Sequence, residues 1–152
     1  MSNKSIARNK KAFHEYSFIE KMESGIQLLG TEVKSLKTRG GSILESYAKF
    51  NKSGELFVYQ MNIPQYTFAN RENHDPVRPR KLLLHKRELL KLKRFQEQQG
   101  FVIVPLNVYL KRGIIKVEIG LGKGKKLFDK RESIKKRISD RHIQRSLKTR
   151  SK

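Results

Sequence analysis

The sequence predicts a mainly β domain: a small antiparallel barrel with a few helices packed outside it and a basic C-terminal extension. Three observations carry this expectation. Strand-like segments come in pairs joined by short turn signals, one amphipathic helical stretch lies between the pairs, and apolar residues almost vanish after Phe128.

Taken in order, residues 1–8 are polar and basic and are expected to form a flexible arm. Between Tyr16 and Leu28 the apolar residues Tyr16, Phe18, Met22, Ile26 and Leu28 recur at even positions, the period of a half-buried strand, with Gly25 as an expected bulge. Gly30 to Lys37 predicts a short helix, because Val33 and Leu36 share a face and Gly40-Gly41 offers a left-handed stop. Ser46 to Phe50 and Glu55 to Ile63 flank Asn51-Lys52-Ser53-Gly54 and predict a hairpin. Pro64, Pro76 and Pro79 delimit a loop-rich span, 64–81.

Leu82 to Gln99 then predicts an amphipathic helix, with Leu89, Leu92 and Phe95 on one face and Gly100 as its cap. Phe101 to Leu110 and Ile114 to Leu121 flank Lys111-Arg112-Gly113 as a second hairpin. In its last strand Ile115, Val117, Ile119 and Leu121 face inward, so Lys116 and Glu118 face solvent or a partner.

Composition bounds the function. The chain has 152 residues, 36% of them hydrophobic, enough for one core. Thirty-five Lys and Arg against 14 Asp and Glu give a net charge of +21, which makes nucleic acid the leading partner class ahead of membrane or acidic protein. With no cysteine, and with His14, His74, His85 and His142 scattered, neither a metal site nor a cofactor is expected. Met1 to Arg8 lacks the apolar core of a secretory signal, and the longest apolar run, Phe101 to Leu110, is too short to span a bilayer. A cytoplasmic protein, monomeric when free, is the expectation. No nucleophile, base and acid set stands out, so no catalysis is expected.

Within Gly120 to Arg131 three glycines alternate with Leu121 and Lys123, and Lys125 and Lys126 follow, so a polyanion would meet both amides and ammoniums. Mononucleotide and dinucleotide loop patterns both fail there. The alternative is a flexible, solvated exit from the last strand. Asp129 to Lys152 cannot bury a core, although Asp129 and Glu132 suit a capping box and Ile134 and Ile138 lie four apart. It is expected to be disordered when free and helical where a partner neutralises it. A permanently disordered solubilising tail is the alternative. Glu23 and Glu32 read either as surface ion pairs or as carboxylates that orient a cation or accept from a base amine. Leu83 reads as core or as a contact for an unstacked base, and Phe128 as a stacking ring or a last anchor on the barrel.

Five motifs together resemble the SmpB family of SsrA-binding proteins. They are Asn9-Lys10-Lys11-Ala12 with His14-Glu15-Tyr16; Gly30-Thr31-Glu32-Val33-Lys34-Ser35-Leu36; Asp75-Pro76 with Arg80-Lys81-Leu82-Leu83-Leu84; Arg87-Glu88-Leu89; and Gly122-Lys123-Gly124-Lys125-Lys126 with Asp129-Lys130-Arg131. The resemblance implies a closed antiparallel barrel with partial likeness to the oligonucleotide-binding fold. It also implies binding to transfer-messenger RNA and to the ribosomal RNA of the small subunit, in the rescue of stalled ribosomes by trans-translation. By this similarity Asn9, Glu23, Leu83 and Lys116 hold the tRNA-like domain of that RNA. Gly124, Lys125, Lys126, Phe128, Asp129, Lys130 and Arg131 match the junction that works in the decoding centre, with the tail in the empty mRNA channel. The implied division is an arm at 1–8, a body at 9–128 and a tail at 129–152. Two positions depart from the family's pattern: Phe128, where His or Tyr is frequent, and Thr31, where many members have Trp. A structural ribosomal or ribosome-assembly protein would share the charge and the barrel, and an RNA-modifying enzyme would need a pocket of ionisable groups near the basic face.

Overall fold

The computed structural model describes residues 4–67, 73–98 and 100–125. In chain order the elements are β1 (Lys4–Arg8), α1 (Lys10–Glu15), β2 (Tyr16–Ile26), α2 (Gly30–Thr38), β3 (Tyr47–Phe50) and β4 (Leu56–Tyr59). They continue with β5 (Arg80–Leu83), α3 (Lys86–Gln96), β6 (Phe101–Lys111) and β7 (Ile114–Gly124). The strands lie in the order β1-β6-β3-β4-β5-β2-β7, and β6 also pairs with β7, so six strands close an antiparallel ring. Closure removes the exposed edges an open sheet would carry. β1 lies outside the ring, along the end of β6 that β3 does not reach.

The ring closes because the long strands alternate. On β7, Ile115, Val117, Ile119 and Leu121 are buried, as their spacing predicts, and on β4 so are Leu56 and Val58. Leu36 from α2 and Leu92 from α3 plug the same core. Each such side chain contributes about 1.5–3 kcal/mol of apolar burial, which is why the period-two pattern dictates the register.

Four expectations are corrected. The basic arm is a strand from Lys4 to Arg8, paired antiparallel with β6 from Leu110 to Asn107. Its ladder bonds fix it although only Ile6 and Ala7 pack against the core. The bulge in β2 falls between Phe18 and Glu20, while Gly25 pairs regularly on both edges. Leu82 and Leu83 belong to strand β5, and the helix starts only at Lys86. There Arg80 and Leu82 point into the core while Lys81 is half-buried and Leu83 exposed, a period of two that the leucine run concealed. The fourth concerns the glycines of the last strand. β7 runs on to Gly124, so Gly120 and Gly122 are strand, not a mobile exit. A Cβ at either would come within 2.7 Å of Phe18 Cδ1, so these glycines make room for a ring.

Candidate nucleic-acid interface

β2 is the strand on which the candidate surface is built. At Gly25 it pairs with Leu83 of β5 on one edge and with Lys116 of β7 on the other. Glu23 lies two residues back and therefore on the same outward face. A shallow, open depression results, lined by Glu23, Gly25, Leu83, His85 and Lys116 among others. Leu83 is 49% exposed, an apolar side chain offered to solvent beside an ammonium and a carboxylate. A Cβ at Gly25 would lie 3.3 Å from Leu83 Cβ, so glycine leaves that leucine its room.

Glu23 is held from β6, across β7 on the same outer face. Tyr109 of β6, itself buried, donates its hydroxyl to Glu23 Oε2, and Lys111 Nζ lies 3.3 Å from both carboxylate oxygens. The Tyr109 hydrogen bond, with Lys111 and Lys116 nearby, outweighs partial burial and keeps the carboxyl below the usual range. Burial, followed by the adjacent Glu23, pushes the Tyr109 phenol well up. The pair is thus an ionised acceptor fixed by a neutral donor.

Three of the four residues expected to meet the tRNA-like domain, Glu23, Leu83 and Lys116, lie around this depression. Asn9 does not. It is 1% exposed and caps α1, its Oδ1 accepting from Ala12 N at 3.1 Å. Its Nδ2 donates to the carbonyls of Ile43 at 3.0 Å and Pro105 at 3.1 Å. With both ends of the amide engaged, Asn9 ties the α1 turn to the barrel.

Glu32, the other acidic candidate, is fully buried. Arg80 Nε donates to its Oε2 at 2.5 Å, and Arg78 Nη2 and the Leu29 N–H donate to its Oε1 at 2.6 and 2.8 Å. Burial raises its carboxyl, but the bonds from Arg78, Leu29 and Arg80 prevail and hold it below the usual range. Arg80 also donates to the carbonyls of Met61, Asp75 and Pro76, fastening residues 73–79 onto α2. His74 joins the same seam, its Nε2 donating to the Ile63 carbonyl at 2.8 Å and its Nδ1 lying 2.9 Å from Thr31 Oγ1. Thr31 therefore supplies a hydrogen bond at the position where an aromatic is frequent in the resembled family. The sequence gives neither Arg80 nor His74 a role, although Arg80 lies within one of the resembling motifs. The one available signal was the two-residue alternation of Arg80 with Leu82.

At the far end of the β2–β7 ladder, Gly124 pairs with Tyr16 and the Lys125 N–H donates to the Glu15 carbonyl at 2.8 Å. Eight residues of strand separate Lys116 from Gly124, roughly 26 Å. Lys126, Phe128, Asp129, Lys130 and Arg131, expected at the decoding centre, lie outside the described residues, as does the whole of 129–152. Among the described residues no three metal-capable side chains cluster, and no helix is long and apolar enough to cross a membrane.

Comparison with known proteins gives a consistent picture. The family model described as SmpB protein matches residues 6–149. An SsrA-binding protein of Geotalea uraniireducens is 51% identical over 152 residues, covering all of both chains. One of a Geobacillus species is 49% identical over 149 residues, covering 98% of this chain and 96% of the relative. A solved structure described as "tmRNA-SmpB: a journey to the center of the bacterial ribosome" superposes with a TM-score of 0.66 at 43% identity, covering 84% of this chain and 92% of the other.

Proposed function

The chain belongs to the SmpB family, and from that premise we propose that it binds the tRNA-like domain of transfer-messenger RNA and delivers it to stalled ribosomes for trans-translation. The single observation that carries this reading is the full-length match to SsrA-binding proteins, at about half identity. The open depression gives it a chemistry. An exposed Leu83 offers an apolar contact to a base, Lys116 an ammonium to phosphate, and Glu23 an acceptor to an N–H or O–H of the RNA. Such a surface suits a ligand held by shape and contact, the chemistry of a binding factor.

The body reads as 9–128 with β1 added to it, and 129–152 is the tail. Gly124 and Lys125 start the junction, and Lys126, Phe128, Asp129, Lys130 and Arg131 continue it into the decoding centre. Because the junction leaves the ladder roughly 26 Å from Lys116, one body holds RNA at one end and sends the tail from the other. A tail with 24 residues and four large aliphatics folds only where ribosomal RNA supplies counter-charge, and it enters the mRNA channel only where mRNA is absent. Truncation after Arg131 tests this. Binding to transfer-messenger RNA is expected to be unchanged while peptide tagging on ribosomes lacking a stop codon is abolished; tagging at the full-length rate would refute the role of the tail.

A further inference from the structure

Resting on the RNA-binding reading above, we infer that Tyr109 is a positioning residue which, with Lys111, fixes the Glu23 carboxylate as a hydrogen-bond acceptor for a donor group of the bound RNA. A free glutamate on a barrel of this charge has no reason to keep one rotamer, since Lys111 and Lys116 both compete for it. Tyr109 removes that freedom. Tyr109 is 6% exposed on β6, where it pairs with Lys116 of β7 on the outer face, so its hydroxyl has a fixed place and meets Glu23 Oε2 from across β7. Lys111 approaches both oxygens at 3.3 Å, at the long end of hydrogen bonding, and is the one described partner of Oε1, which keeps acceptor capacity to spare beside the depression that Glu23 lines.

The consequence is selectivity. An ionised carboxylate accepts and never donates, so it repels phosphate and rewards an N–H or O–H donor brought opposite it. Lys116, two positions along the same face, attracts phosphate instead. Glu23 and Lys116, set diagonally across the β2–β7 ladder, therefore accept one placement of backbone and donor and penalise its slip. The environment of Glu23 also keeps this device ionised. Tyr109 and Lys111 face it from β6, Lys116 and Glu118 from β7, and Lys21 from its own strand, and the Tyr109 bond is the largest influence holding its carboxyl down.

The test is a double-mutant cycle on affinity for the tRNA-like domain, using the full chain and the variants Tyr109→Phe, Glu23→Gln and both together. Tyr109→Phe keeps the ring and is expected to weaken binding roughly three- to tenfold in the parent chain and to have no further effect in the Glu23→Gln chain. Its affinity is also expected to fall off at a higher pH than the parent's as acid is added, because without the phenol the carboxyl titrates closer to its ordinary value. Equal weakening by Tyr109→Phe in both backgrounds, or an unchanged acid profile, would mean that the tyrosine only supports the fold and would overturn the proposal. Lys111→Gln serves as a second probe, expected to be smaller in effect and likewise silent beside Glu23→Gln. A parent chain that fails to prefer the tRNA-like domain over an elongator tRNA overturns the RNA-binding reading itself. A parent that discriminates, together with a silent Tyr109→Phe, overturns only the positioning role.

Discussion

Glu23 and Glu32 are the same residue type in the same basic chain, each between a cation and a hydroxyl or amide donor, yet one is open and the other closed. Glu32 has no exposed surface and two guanidiniums, and its bonds run to residues 46 and 48 positions away in the chain. Glu23 keeps 36% of its side chain exposed, leans on Tyr109 and Lys111, and borders a depression that no described residue fills. A carboxylate with no surface left to solvent, bonded only within the chain, holds a fold together. One with capacity left toward solvent has something to offer a partner.

The largest expected difference between the two regions is in stability. Arg80→Ala leaves Glu32 charged and partly unpaired in the interior and is expected to cost about 3–5 kcal/mol, read from chemical denaturation. Glu23→Ala, which removes the partner of the Tyr109 hydroxyl at a partly exposed site, is expected to cost only about 0.5–1.5 kcal/mol. Similar costs for the two would erase the distinction. The same division between closed and open runs along β7. Gly122→Ala would push a methyl onto the Phe18 ring and is expected to cost about 1–3 kcal/mol, with partial recovery when Phe18 is shortened to Leu. Gly124→Ala, where a Cβ meets nothing within 4 Å, is expected to be close to neutral.

These cases also mark what the sequence discloses. The alternation of β7 and the apolar face of α3 are legible because every residue in the pattern answers to one nearby cause, burial on one face, whereas the ends of α3 are not: it runs from Lys86 to Gln96 and is capped by Glu97, not Gly100. Arg80 is not, since an arginine at an inward position reads as an error until Glu32 is known to lie against it, and that pairing is created only by closing the barrel. β1 is equally hidden, for its ladder to β6 uses backbone groups that carry no sequence signature. Gly120 and Gly122 were legible as places of close approach, but what approaches is Phe18 and not a phosphate. Glu23, Leu83 and Lys116 were reached through family resemblance. Periodicity alone gives their outward direction only for Lys116, and nothing local foretells that Gly25 pairs with both neighbouring strands.

A smaller effect sharpens the comparison from the open side. Lys116→Gln is expected to leave the unfolding midpoint unchanged while lowering the salt dependence of RNA binding by about one unit of slope, the signature of a single lost phosphate contact. The smallest separates the carboxylates by acid. Because Glu32 is held below its ordinary value in the folded chain, its contribution is complete above that value and lost as pH falls through the folded one. Glu32→Gln is thus expected to flatten the loss of stability on acidification; an acid limb as steep as the parent's would assign that loss to other groups, with Glu23 and Glu55 the next to consider.

The most direct measurement of the central claim is binding to the tRNA-like domain of transfer-messenger RNA against an elongator tRNA, titrated across salt. The open face is expected to keep the tRNA-like domain at least about tenfold tighter, roughly 1.4 kcal/mol, as salt rises. If both affinities instead fall together, with a slope of about 0.7–0.9 per phosphate contact and no residual difference, the face is only a charged surface and the chain binds RNA as a general ribosomal protein would.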